Sequence, residues 1–343
     1  MTFYSLLRPL VFAMDAEVAH RATLRALRLL PRRTVQFAPS LQSHVAGLSF
    51  PSPIGLAAGF DKDAEVFDQA LGLGFGFVEV GTLTPRAQRG NPKPRLFRLP
   101  EDQAVINRMG FNNDGQGAAL ARLARRDRSR GIVGVNIGAN KESPDRVADY
   151  IYGVRSMSGV ADYLTVNISS PNTPGLRALQ GGGALDSLLG AVAEARSPGG
   201  PPLFLKVAPD LEAGDAKRIV RSAIDNKVDG LIIANTTISR PALSSTASGE
   251  HGGLSGAPVR ELALDALRQF RSVSGGALPL IGCGGIATVA DAWQRICAGA
   301  SLIQLYTAMV YDGPGIARRI AEGLQGKLAK SGFGSIAEAV GSE

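Results

Sequence analysis

Five asparagines, two lysines and one serine stand where short apolar runs give way to loops. Asn107, Asn136, Asn167, Asn172 and Asn235 each carry a neutral amide with two donors and an acceptor. One such residue at a strand end is ordinarily a turn residue. Five gathered on one rim suit a planar ligand edged with N–H and C=O groups, such as a flavin or a pyrimidine. Lys62 and Lys206 are isolated cations at comparable places. A lysine buried near N1 of a flavin favours the reduced, anionic ring; a solvated lysine is the alternative. Ser170 lies in Ser169-Ser170-Pro171-Asn172, a loop that Pro171 and Pro174 would stiffen. No histidine neighbours it in sequence and no GxSxG is present, so a hydrolytic triad is unsupported. Used as a base, this serine would need water exclusion or a relay, because its own pKa is far too high.

Glycine-rich stretches at Gly252–Gly256 and Gly282–Ile286, with the turn at Tyr306–Ala308, suit a phosphate site. No GxGxxG follows an apolar run; Gly72-Leu-Gly74 precedes one, which speaks against a Rossmann unit. The only cysteines, Cys283 and Cys297, exclude a disulfide framework and an iron–sulfur cluster held by the chain's own thiolates. Cys283 reads as a small core hydrophobe. His20, His44 and His251 are far apart, and neither HExxH nor CxxC occurs, so no metal is expected. Both findings fit a reducing cytosol.

The elements that must position these residues form one rhythm. Eight apolar runs follow residue 52: Ile54–Ala58, Phe77–Gly81, Ile132–Ile137, Tyr163–Ile168, Leu203–Val207, Gly230–Ala234, Leu280–Cys283 and Leu302–Tyr306. Most lack polar alternation, as strands buried on both faces do. Helical stretches separate them, among them Ala64–Leu71, Gly115–Arg128, Val259–Ser274 and Gly315–Gly326. Eight repeats predict an α/β fold, a (β/α)8 TIM barrel, over a doubly wound sheet. Chemistry then gathers in the loops after the strands' carboxyl ends, where AAGFDK, NIGAN, NISSPNTPGLR, KVAPD, NTT and GCGGI lie. At 45% apolar and 20% charged residues, the 343-residue chain can bury a large core, which excludes wholesale disorder.

The amino end differs. Residues 1–40 hold six arginines against Asp15 and Glu17, a net +4 of the chain's +7. Arg8, Pro9 and Asp15 break the apolar run, which argues against a signal peptide or a membrane span. Phe3, Leu6, Leu7, Leu10 and Val11 make a helical face, with Pro9 as a kink or a new start. Asp15 is a candidate N-cap for a second helix that Pro31 stops. Two short amphipathic, arginine-rich helices suit a bilayer interface or a neighbouring domain equally.

Taken in order, AAGFDK, NPKPRLFRLPEDQAVINRMGFNN, VNISSPNTPGLR, IIANTT, GGLSG, IGCGGI and LIQLYTA resemble the dihydroorotate dehydrogenases, specifically the class 2, quinone-dependent, membrane-associated form. The resemblance runs from the first residues to about residue 330. It implies FMN held by Ala57, Ala58, Gly59, Gly81, Thr82, Asn136, Asn167, Lys206, Ala234, Ser255, Gly256, Gly284, Gly285, Tyr306 and Thr307. It implies dihydroorotate or orotate on Lys62, Asn107, Arg108, Met109, Gly110, Phe111, Asn167, Asn172, Asn235 and Thr236, with Ser170 as the base. It further implies oxidation of (S)-dihydroorotate in de novo pyrimidine (UMP) biosynthesis. Electrons would pass to ubiquinone or menaquinone at His20, Arg98 and Tyr306. Residues 1–40 would be the membrane and quinone-access segment, 41–335 the barrel and 336–343 a tail. The enzyme would lie peripherally on the cytoplasmic side of the cell membrane, meet the lipid surface through its first helices, and need neither an obligatory protein partner nor nucleic acid.

One departure from the family is Ala234, where a hydroxyl residue is common; its side-chain contact to the flavin would be missing. Class 1 relatives use a cysteine base in the strand-four loop, where this chain has Ser169 and Ser170. Two rival readings carry their own discriminators. A tRNA-acting dihydrouridine synthase would suit a pI near 9.6 but relies on a cysteine acid, and salt-sensitive RNA binding would mark it. A non-catalytic scaffold barrel would purify colourless.

Overall fold

The computed structural model describes residues 3–173 and 175–343. The expected stiffening of the serine loop by Pro174 falls outside the described residues. The barrel strands are β1 (Ile54–Leu56), β2 (Phe77–Leu83), β3 (Ile132–Ile137), β4 (Tyr163–Asn167), β5 (Leu203–Val207), β6 (Gly230–Ile233), β7 (Leu280–Cys283) and β8 (Ala300–Leu305). They pair in parallel and close in chain order, β8 meeting β1, into the expected (β/α)8 barrel.

Alternate residues of each strand point to the barrel axis and stack in layers. The lowest layer is aromatic. Phe77 on β2, Tyr163 on β4 and Phe204 on β5 meet edge to face, with ring centroids 5.3–6.3 Å apart. Gly55 and Gly134 make room: a Cβ at Gly134 would fall 2.0 Å from the Tyr163 ring, and one at Gly55 2.3 Å from Phe77. From below, the layer is plugged by a hairpin (Ser43–Val45 with Leu48–Phe50) whose Phe50 ring lies 5.0 Å from Phe77. Two residues further up the same strands, the lining turns polar, with Glu79, Asn136, Thr165, Lys206 and Gln304 all buried.

At the carboxyl end of the strands, the long excursion after β2 and the loop after β6 join. Leu96–Leu99, Ala104–Asn107 and Gly253–Gly256 form a three-stranded antiparallel sheet over the mouth. Two helices precede the barrel, α1 (Phe3–Ala13) and α2 (Ala16–Arg28). Pro9 lies inside α1 and does not end it. Asp15 caps α2 as expected, its carboxylate accepting from the Glu17 and Val18 amides, worth about 1 kcal/mol. Buried Ala19, Leu24 and Leu27 make the inner stripe of α2, whereas Leu6 and Leu10 of α1 are 66% and 71% exposed. Residues 336–343 pack on the barrel: Ile336 and Ala339 are buried, and the Glu343 amide donates to the Cys297 carbonyl.

Candidate active site

A single cavity of about 480 Å³ runs from the carboxyl ends of the barrel strands to the space between α1 and α2. Its floor is polar and cross-linked around one buried carboxylate. Glu79 is buried, and its carboxylate accepts from Asn136 Nδ2 (2.7 Å), Gln304 Nε2 (2.8 Å), Thr165 Oγ1 (3.1 Å) and the Tyr163 hydroxyl (3.1 Å). Four donors compensate the desolvation of the carboxylate. Asn136 Oδ1 then accepts from Thr82 Oγ1 (2.5 Å) and Asn167 Nδ2 (3.0 Å). Asn167 Oδ1 accepts from Ser169 Oγ (2.8 Å), which in turn accepts from Asn235 Nδ2 (2.7 Å). Every side chain in this chain of bonds holds the next in one rotamer, so the amides at the rim are fixed before any ligand arrives.

Above the floor, Ser170 is buried at the cavity wall, its Oγ accepting from the Asn172 amide at 3.2 Å. Asn172 Nδ2 donates to Asn107 Oδ1 (3.2 Å), which joins the serine loop to the segment Asn107–Phe111. That segment is held from behind. Gln88 Nε2 reaches the carbonyls of Gly110 and Phe111, and Asn91 Nδ2 those of Arg108 and Asn172. Lys62 Nζ donates to Asn112 Oδ1 at 2.6 Å. Burial of its ammonium, with the Arg95 guanidinium adding to the push, lowers the Lys62 pKa to about 7. The side chain still reaches the cavity.

The far side of the cavity is built from backbone. Ser255, Gly256, Gly284, Gly285 and Thr307 line it. The amides of Gly284, Gly285, Ile286 and Thr307 donate to no protein acceptor among the described residues. Lys206, buried on β5, points into the same space, and among the described residues its ammonium has neither hydrogen bond nor ion pair. A buried cation and a row of free amides fit an anionic, phosphate-bearing ring system.

Toward α1 and α2 the wall turns apolar. Val11, Ala19, Ala26, Leu27 and Leu30 line it with His20, Tyr306 and Arg98. The Tyr306 hydroxyl lies 3.4 Å from His20 Nδ1, and the His20 and Phe60 rings meet edge to face. Burial, then the Lys62 charge, lowers the His20 pKa to about 4, so the imidazole is neutral near pH 7. Burial also raises the Tyr306 pKa. Arg98 donates to the carbonyls of Val11, Phe12 and Met14 at the end of α1. Three residues earlier on the excursion, Arg95 makes a two-pronged pair with buried Glu17 of α2 (2.7 and 3.0 Å). That hydrogen-bonded guanidinium pulls the Glu17 pKa down to about 2.

Most residues expected at a site therefore line one cavity, including Ala57, Ala58, Gly59, Lys62, Thr82, Asn167, Ser170, Asn235 and Thr236. Four do not. Asn136 lies one layer below, its amide spent on Glu79, Thr82 and Asn167. Gly81 and Ala234 are buried beneath the wall. Arg108 turns outward to Glu250 (2.7 Å) and the Phe97 ring. Glu79, Thr165 and Gln304 were missed, although their period-two spacing from Phe77, Tyr163 and Leu302 was a signal for an inward face.

A family model described as dihydroorotate dehydrogenase matches residues 40–328. A protein of Novosphingobium aromaticivorans named dihydroorotate dehydrogenase (quinone) is 64% identical, with both chains covered in full. One of the same name from Erythrobacter litoralis is 61% identical, with 99% of each chain covered. A crystal structure of the Eimeria tenella enzyme in complex with ferulenol superposes with a TM-score of 0.91 at 39% identity, covering 95% of each chain.

Proposed function

The chain belongs to the class 2, quinone-dependent dihydroorotate dehydrogenases, and from that membership we propose that it holds FMN in the barrel mouth, oxidises (S)-dihydroorotate to orotate and serves de novo pyrimidine (UMP) biosynthesis. The observation that carries this reading is the cavity itself, amide-rich and basic at one end and apolar at the other. When bound, FMN supplies a two-electron acceptor for the hydride at C6 of the substrate and a donor to the quinone. Lys206 and the unbonded amides of Gly284, Gly285 and Thr307 suit its ring and phosphate. Asn167 and Thr82 present fixed polar atoms that would help hold it.

Lys62 supplies an ammonium for the substrate carboxylate, while Asn107, Asn172, Asn235 and Thr236 orient the pyrimidine ring. Ser170 accepts the C5 proton through Oγ. Its burial excludes bulk water, which a hydroxyl base requires. At the apolar end, His20, Tyr306 and Arg98 meet the head of ubiquinone or menaquinone. The exposed leucines of α1, together with Arg21, Arg25 and Arg28 of α2, suit an anionic lipid surface. No helix among the described residues is long and apolar enough to cross a membrane. Peripheral attachment on the cytoplasmic side of the cell membrane through residues 1–40 is the matching arrangement.

The test is spectroscopic. The purified protein should be yellow, bleach with dihydroorotate under anaerobic conditions and recover colour with a quinone. A flavin-free protein, or a bound flavin that dihydroorotate leaves oxidised, rejects the reading.

A further inference from the structure

Arg295 has the largest fully buried side chain among the described residues, with 0% exposure. It stands on the helix Val289–Cys297, behind the Gly284–Gly285 loop that follows β7. One guanidinium nitrogen, Nη2, donates to the carbonyls of Arg260 (2.5 Å) and Gly284 (3.2 Å). Among the described residues, its Nε and Nη1 have no partner. Asp291, the nearest acid on its own helix, is ion-paired to Arg260 at 2.9 Å. Glu261 and Asp291 reach Arg295 only through space, as do the Arg260 and Arg268 charges. Burial lowers the Arg295 pKa to about 10, so the group is a cation at neutral pH. A buried cation that has no direct ion pair of its own among the described residues is costly.

The loop in front of Arg295 lines the cavity. Gly284 and Gly285 take φ of +101° and +69°, and a Cβ at Gly285 would fall 2.3 Å from Arg260 Cα. Arg295 holds the Gly284 carbonyl, and Arg260 Nε holds the Gly285 carbonyl at 3.4 Å. In a trans peptide the N–H points opposite to the carbonyl. The N–H groups of Gly285 and Ile286 therefore point away from the two arginines, toward the cavity that both residues line. Donation to a peptide oxygen also polarises the N–H of the same peptide.

We propose that Arg295 is a positioning residue for the flavin phosphate: buried behind the Gly284–Gly285 peptide, it aims and polarises the amides that bind the phosphate and supplies the charge that offsets it. The proposal rests on the FMN reading above and adds a residue that touches neither cofactor nor substrate. It predicts that Arg295 distinguishes FMN from riboflavin, which has the same ring and no phosphate.

The full-length chain, freed of flavin, is titrated with FMN and with riboflavin by fluorescence quenching. In R295M the preference for FMN over riboflavin should fall about tenfold or more, while the riboflavin Kd stays within about threefold. R295K keeps the cation and should keep the preference within about threefold. Should R295M fail to fold, R295Q, which retains a donor for the two carbonyls without the charge, carries the same expectation. A preference unchanged in the neutral variants, or equal losses for both ligands, overturns the proposal. So does a wild-type chain that does not prefer FMN; a wild-type chain that binds no flavin overturns the FMN reading as well.

Discussion

Orotate affinity should depend on pH through Lys62. In the free protein, burial and the Arg95 guanidinium hold its pKa near 7. A carboxylate beside the ammonium favours the charged form and raises that value in the complex. At pH 6 and below the charge is already present and affinity is close to full. At pH 8 only about one molecule in eleven carries it, and at pH 9 about one in a hundred. The orotate Kd should therefore rise about tenfold per pH unit above 7, until the pH meets the pKa of the complex. Binding at pH 8 should draw in close to one proton, measurable by calorimetry in two buffers of different ionisation enthalpy. Lys62→Met should be weaker at pH 6, by about 10- to 100-fold for a lost charge-assisted bond, and should show no such slope. A Kd flat from pH 6 to 9, with no dependence on the buffer, would refute both the depressed pKa and the assignment of Lys62 to the carboxylate.

Further expectations follow from other parts of the cavity. Ser170→Ala should keep bound FMN yellow and cut flavin reduction by about 10²- to 10⁴-fold; wild-type reduction speed in stopped flow would remove Ser170 as the base. Glu79→Gln should lower Tm by a few degrees and loosen FMN, because an amide cannot accept from all four donors and leaves at least one unsatisfied at about 1–3 kcal/mol; unchanged melting and flavin retention contradict this. Leu6→Glu with Leu10→Glu should release the protein from anionic vesicles and slow reoxidation by a long-chain quinone, while a soluble dye still reoxidises the flavin; flotation of the double variant with the vesicles would show that α1 is not the anchor. The depressed Glu17 pKa contributes stability that is present above its ordinary value of 4.5 and is lost as pH falls toward 2. Glu17→Gln should therefore cost about 2–3 kcal/mol at pH 7 and almost nothing at pH 2, as measured by urea unfolding at the two pH values.

The barrel was legible because eight apolar runs recur at even spacing, and the rim because its amides, lysines and glycines follow those runs. The polar floor was not. Glu79, Thr165 and Gln304 alternate with Val78 and Val80, Leu164 and Val166, and Ile303 and Leu305, and alternation ordinarily marks a strand with one wet face. Here the polar face is the barrel interior, and only closure of the sheet reveals it. The sheet over the mouth was hidden because Gly253–Gly256 pairs with Ala104–Asn107, a partner almost 150 residues away. The hairpin under the barrel turns on Ala46-Gly47, both at positive φ; Ala-Gly signals such a turn less clearly than Asn-Gly does. Pro9 was compatible with a kink or a break, and packing on the barrel, including the Tyr4 hydroxyl bond to the Val310 carbonyl at 2.6 Å, favours the continuous helix.

Arg95 and Arg98 give the amino-terminal helices a mechanical character. One arginine grips α2 at Glu17 and the other grips the end of α1, and both issue from one short stretch of the excursion. Arg95 also donates to the carbonyls of Arg89 and Asn91, and Asn91 in turn holds the backbone at Arg108 and Asn172. The helices, the sheet over the mouth and the Asn107–Phe111 segment are therefore joined by one run of hydrogen bonds, as the arms of a lever are. A load on the exposed leucines of α1 would pass along these bonds to the backbone at Arg108 and Asn172.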